Sequence, residues 1–393
     1  MGKNITLIGI CACAFLCQVQ AQEQKTEGYQ FTELKRMPAT DVKSQDRSST
    51  CWAWSGLSFF ESEIARLGKD TVSLSPMYIV WHTYNEKADR YVRLHGEMNF
   101  SPGGAHYDVQ WGIDRYGIVP LDVYTGLNYG EKVHAHAELN SLLRAYADII
   151  VKNPNRKITT AWKDGYQGIL RAYLGELPQT FTYKGKEYTP LSFAQMLGLN
   201  MADYIQLTSF SHHPYYTSFA IEVPDNWLNG NTYNLPLDEF IAVLDKAVDK
   251  GFTFAWAADL SEKGFTNGIA VVPTFDTKEM KDAEITKWVS LPQEDRQRQF
   301  IQQPCSEKKI TQEMRQQAFD NYQTTDDHGM HIVGKAKDQN GTPYFIVKNS
   351  WGKYNKYDGY LYASYPYVAY KTISVMIHKD ALSKELKRKL GIE

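Results

Sequence analysis

Apolar positions in the first third of the chain recur at helical spacing. In CWAWSGLSFFESEIARL, which starts at Cys51, the residues Trp54, Leu57 and Ile64 fall on one helical face. Ser48, Ser49 and Thr50 offer N-cap side chains and Gly68 a stop, so a helix opening at Cys51 is expected. A second helix is expected over LSPMYIVWHTYNEKADRY, capped by Ser75 with Pro76 at its first position. The glycine pair of SPGGAHYDVQWGIDRYG precedes a third helix and a turn. Residues 135 to 176 read as helical, with AELNSLLRAYADIIV strongly amphipathic, and LDEFIAVLDKAVDKG gives another helix ending at Gly251.

The pattern then shortens. FTFAWAADL and GIAVVPTF read as short buried strands. HGMHIVGKAKDQNGTPYFIVKNSWG reads as two strands joined at DQNGTP, and YLYASY and KTISVMIH supply two more. A helical first half followed by a strand-rich last third predicts an α+β fold.

Composition narrows the function. With 43% hydrophobic and 22% charged residues, the 393-residue chain is an ordinary globular sequence. A formal charge of −2 leaves no overall cationic excess for phosphate neutralisation, so no nucleic-acid partner is expected, and the basic KELKRKLG segment reads as a solvated helix face. At the start, Lys3, an apolar run from Ile5 to Leu16, and Val19 and Ala21 spaced for signal peptidase predict export with cleavage after Ala21. Lipid attachment at Cys13 is the competing arrangement; the apolar run continues past Cys13, which favours cleavage. No other stretch approaches the ~20 apolar residues of a membrane span, so no transmembrane segment is expected. Residues 22–393 then form the mature domain. Cys51 and Cys305 are its only cysteines, and both are read as free.

The chemistry concentrates in four separated motifs. A thiol nucleophile needs a base, a group that orients the base, and donors for the oxyanion formed on attack. Cys51 supplies the thiol at a helix start, where unpaired N–H groups favour a thiolate. His328 in TDDHGMHIVG is the candidate base and Asn349 in VKNSWG the orienting group. Gln45, six residues before Cys51, is the candidate oxyanion donor beside the Cys51 N–H, and Trp351 would shield the His328 to Asn349 bond from water. His331 lies at an odd offset from His328 and is read as a packed strand residue. The adjacent histidines of SHHPYY lack the spacing of a ligand set, so neither a metal nor another cofactor is expected.

Together, these motifs resemble those of the papain-like cysteine peptidases: Gln45 ahead of Cys51 and Trp52, the glycine pair of SPGGAHYDV, DHGMHIVG and YFIVKNSWG occur in the family's order. Further likeness through GIDRYGIVP, RAYLGELPQTFTYKGKEYTPLSF and GYLYASYPYVAYKTISVMIHKDAL is to the bleomycin hydrolase and aminopeptidase C branch. Cys51 and His328 stand 277 positions apart, against roughly 130 to 150 in papain and its kin, which places a large insertion at about 119–303, expected to be helical.

The resemblance implies a papain-like fold, peptide substrates, acyl transfer through Cys51, His328 and Asn349, and backbone pairing of the substrate at Gly103 and Gly104. It also implies a homo-hexamer and an aminopeptidase restricted by a C-terminal arm reaching the cleft. The sequence given stops at ALSKELKRKLGIE without the branch's proline- and tryptophan-containing tail. An endopeptidase with an open cleft is therefore the alternative activity, with an inactive papain-fold binding protein and an amine-accepting acyl transferase as further ones.

Overall fold

Every residue from Trp52 to Ile64 is buried, although the apolar positions of this segment cover one helical face. The helix concerned, α1 (Cys51–Arg66), achieves this by lying between two layers. One layer holds α2 (Pro76–Arg93) and α3 (His106–Tyr116); the other presents β7 (Phe254–Ala258) and β9 (His328–Lys337). Polar groups hidden by this arrangement must be paired. Glu61 accepts from Lys43 Nζ at 2.7 Å, from the Leu74 N–H at 2.8 Å and from the Thr40 hydroxyl, which ties the entering chain to α1.

The computed structural model describes residues 28–155, 157–266, 268–274, 290–293, 295 and 301–392. The expected export signal, 1–21 with Cys13, lies outside them.

Pro76 opens α2, and Ser75 Oγ accepts the Tyr78 N–H at 3.2 Å. The start of α1 differs from the expected cap. Thr50 occupies the N-cap, but its hydroxyl bonds Trp54 Nε1 and Ser48 Oγ instead of a backbone N–H. The segment 135–176 forms two helices, α4 (Ala137–Val151) and α5 (Ala161–Leu174), separated around Pro154, which disfavours helical geometry in the residue before it. A small hairpin, β2 (Phe181–Tyr183) and β3 (Lys186–Tyr188), then leads to α6 (Pro190–Leu197).

The main sheet gathers strands from both ends of the chain. Its order is β5 (Ser218–Ala220), β6 (Asn231–Asn234), β4 (Tyr204–Thr208), β12 (Thr372–His378), β7, β9, β10 (Pro343–Lys348), β11 (Tyr360–Ser364) and β8 (Ile269–Ala270), with β1 (Thr32–Arg36) also pairing β9. The stretch 119–303 is thus not only helical. It contributes α4 to α6 and α7 (Leu237–Asp249), but also β4 to β8 of this sheet. β7 and β8 lie in the two expected buried runs, whereas β4 to β6 are three to five residues long, too short for a period-two pattern to stand out.

Pleating of β9 divides its residues between two cores. Met330 and Ile332 join a core with Phe240, Leu244 and Tyr367, while His331 faces α1, its Nδ1 bonded to Ser58 Oγ at 3.0 Å. That second core is closed by α7, α8 (Gln312–Asp320), α9 (Tyr365–Lys371) and α10 (Lys384–Leu390). In α10, Leu386 and Leu390 are buried while Lys384 and Arg388 face solvent. No helix of the described residues is long and apolar enough to cross a membrane.

Candidate active site

Cys51 is the first residue of α1, and its surroundings are rich in donors. As the first residue of the helix, Cys51 has an N–H without an intrahelical acceptor, and it has no partner among the described residues. Burial pushes the Cys51 thiol up to about 11; the Gly329 and Trp52 N–H groups work against this, and the Asp326 and Asp225 carboxylates add to it. Gly329 packs directly on this turn. A Cβ there would stand 3.2 Å from the Trp52 Cα and 2.6 Å from Ser55 Oγ, so only glycine lets the first residues of β9 close on α1.

His328 precedes that glycine and lines the same cavity as Cys51. Its Nε2 lies 2.8 Å from Asn349 Oδ1, which also accepts the Ser350 N–H at 2.8 Å. An oxygen already accepting makes Nε2–H the donor, leaving Nδ1 as the free basic nitrogen. Asn349 Nδ2 donates to the Tyr354 hydroxyl at 3.3 Å. The Trp351 ring lies 4.9 Å from the imidazole at 34°. Burial depresses His328 to about 4, and the Asn349 bond only partly offsets it.

Gln45 is held from the other layer. Its N–H donates to the Ser350 carbonyl at 2.7 Å, and Ser350 Oγ donates to Gln45 Oε1 at 2.6 Å. With Oε1 committed, the amide Nε2 is the end left to donate, and Gln45 lines the cavity with Cys51. The intervening turn is strained at two non-glycine positions, Asp46 (φ 49°) and Ser49 (φ 58°). Asp46 is held there by Ser44 Oγ at 2.7 Å and the His134 N–H at 3.0 Å.

The cavity holds about 320 Å³, toward the small end of the ~300–1,000 Å³ of small-molecule sites. Gly103 and Gly104 form one wall. A Cβ on Gly104 would meet Asp108 Oδ2 at 2.6 Å and the Trp52 ring at 2.9 Å, and one on Gly103 would meet Asp225 Oδ2 at 1.9 Å. All seven residues picked out from the sequence are thus placed: Gln45, Cys51, Gly103, Gly104 and His328 line one cavity, and Asn349 and Trp351 stand behind the imidazole. Sequence reasoning missed the acidic lining, Asp225, Asp326 and Asp327, and Ser350. Asp326, Asp327 and Ser350 adjoin recognised motifs and were open to notice; Asp225, in VPDNW, carries no local signal.

SHHPYY gains an acidic neighbour that the sequence did not suggest. Glu222 accepts from His213 Nε2 at 2.8 Å and His212 Nε2 at 3.1 Å. Gln316 Nε2 donates to His212 Nδ1 at 3.0 Å, which fixes the proton on Nε2, and the ligand atoms of His212, His213 and Glu222 lie within 4.8 Å of one another.

Likeness to known proteins runs along the whole arrangement. A family model described as papain family cysteine protease matches residues 275–376, the stretch with His328, Asn349 and Trp351. Aminopeptidase C of Lactococcus lactis subsp. cremoris is 23% identical over 382 residues, covering 88% of this chain and 82% of its own. Aminopeptidase C of Listeria monocytogenes serovar 1/2a is 25% identical over 392 residues, with the same coverage. Among solved structures, PepW from Lactobacillus rhamnosis superposes with a TM-score of 0.66 at 21% identity, over 92% of this chain and 84% of that one. A papain-like fold, a thiol on the helix between its layers, and an imidazole turned by an asparagine amide converge on one assignment: the chain is a cysteine-type peptidase, similar to the papain family over residues 275–376.

Proposed function

We propose that this peptidase is an aminopeptidase, releasing residues from the free amino end of peptides through a thiol acyl-enzyme. The carrying observation is that Cys51, His328 and Gln45 share one cavity small enough for a short acyl group. The relatives named aminopeptidase C support the exopeptidase assignment.

In this reading, burial disfavours an isolated thiolate and an isolated imidazolium alike, so the proton moves within the pair. It passes from Cys51 Sγ to His328 Nδ1 as sulfur attacks the scissile carbonyl, and the two charges offset each other. The carbonyl oxygen becomes an oxyanion held by Gln45 Nε2 and the Cys51 N–H. His328 returns the proton to the leaving amine as the C–N bond breaks. It then takes one from water, whose oxygen displaces Sγ from the acyl carbon. Asn349 and Trp351 are positioning residues that keep Nδ1 turned to the thiol. The backbone of Gly103 and Gly104 takes the acyl portion of the substrate.

Paired fluorogenic amides test this, one with a free amino terminus and one acetylated. The free-amine member is expected to be cleaved and the acetylated one to be strongly disfavoured. Equal turnover would replace the reading with an open-cleft endopeptidase.

Export belongs to the same proposal, supported by Lys3, the apolar run and Ala21. Amino-terminal sequencing of protein recovered outside the cytoplasm is expected to begin at Gln22. A mature chain starting at a lipidated Cys13 would favour the anchored arrangement instead.

A further inference from the structure

The cavity is short of positive charge. Asp225, Asp326 and Asp327 all line it, and none has an ion-pair partner among the described residues. Asp327 is tied back by Thr325 Oγ1 at 2.7 Å and the Leu260 N–H at 3.3 Å. Asp225 is fixed on one side only. Its Oδ1 accepts from Asn99 Nδ2 and Ser101 Oγ, each at 3.0 Å, while Oδ2 lies against Gly103 with no hydrogen-bond donor among the described residues. Lys87, buried nearby, donates to the Ser101 carbonyl at 3.0 Å and to the Gly103 carbonyl, not to a carboxylate.

The position of Asp225 follows from the chemistry. The leaving amine must stand beside His328 to receive a proton, so the acyl portion runs the other way, past Trp52 to Gly104 and Gly103. One extended residue spans about 3.3–3.6 Å. A free α-ammonium on the first or second acyl residue therefore arrives at the Gly103 wall, where Asp225 presents its unpaired oxygen. The chain as far as Ile392 packs in the second core and does not line the cavity.

Resting on the aminopeptidase reading above, we infer that Asp225 is the specificity-determining residue that receives the substrate's α-ammonium, with Asp326 facing the same space. The charge balance of the cavity agrees. Burial and then the nearby Asp225 charge raise Asp326 to about 7, as expected where carboxylates gather with no cation paired to them. A bound ammonium would supply the missing charge. An acetylated amine would bring a neutral, bulkier group to the same wall.

The test uses the full chain, an aminoacyl aminocoumarin amide and its N-acetyl counterpart. Asp225→Asn keeps the shape and the bonds from Asn99 and Ser101. It is expected to lower kcat/KM on the free-amine substrate about 10- to 100-fold, the range for a lost hydrogen bond to a charged group, mainly through KM. The acetylated substrate should be no worse than with the parent protein. Thermal midpoint and alkylation of Cys51 by iodoacetamide report folding, and Asp225→Ser serves if the first variant is unstable.

Parent protein that cleaves both substrates alike would end the aminopeptidase reading itself. Parent protein that discriminates, with folded Asp225 variants that discriminate equally well, would overturn the inference and leave the reading standing. Loss of discrimination in Asp326→Asn but not in the Asp225 variants would also overturn it.

Discussion

Replacing Cys51 by alanine is expected to remove turnover, with kcat falling by about 10⁶, the scale seen when a nucleophile acting as part of a unit is deleted. The fold should survive, since Cys51 lies at the mouth of α1 and Trp52, Phe59 and Phe60 carry the packing behind it. Gln45→Ala should cost only about 10² to 10³, because the Cys51 N–H still meets the oxyanion. Single-turnover assays separate the two: Gln45→Ala should still form an acyl-enzyme slowly, and Cys51→Ala should form none. Equal residual rates in both variants would remove Cys51 from the nucleophile role.

Stability is expected to fall steeply as the pH drops from about 6.5 toward 4. Burial depresses His106 to about 3, His136 and His328 to about 4, and His331 well below its ordinary value. In the unfolded chain each takes a proton near pH 6.5, so the unfolded state binds more protons in this window and gains stability as acid is added. Asp108 and Asp326 act in the opposite sense. Burial raises both to about 7, so the folded state keeps protons that the unfolded chain has lost above its ordinary carboxylate range. His82, which burial also depresses to about 3, joins the other four; five histidines against two carboxyls leave the unfolded chain about three protons ahead near pH 5, a slope of roughly 4 kcal/mol per pH unit. Denaturant midpoints by circular dichroism at pH 7 and pH 5 measure this directly. Midpoints that do not move between those values would show that the histidines are not neutral and buried together.

The elements legible in the sequence were those with long, regular patterns. α1, α2, α7, β9 and β10 stood out because amphipathic period, a Ser75 cap with Pro76, or the turn around Gly341 marked them. Strands β4 to β6 did not, since four residues such as Asn231–Asn234 join the sheet through distant partners, not through a pattern of their own. The thiol, imidazole, asparagine and glutamine could be named because each carries neighbours that restrict its chemistry. Asp225 could not. Its placement at Gly103 depends on Asn99 and Ser101, more than 120 positions earlier, and no local spacing encodes that meeting.

Gln45 has an unusual allegiance for a residue so near Cys51 in the chain. Two hydrogen bonds hold it to Ser350, at the end of β10, while the thiol rides on α1. Donor and nucleophile are therefore anchored to different elements of the fold, linked by a turn wound left-handed at Asp46 and Ser49. Any breathing between the helical and strand layers would pull the oxyanion pocket apart before either layer loses its own structure. Turnover is thus a more sensitive gauge of layer closure than circular dichroism.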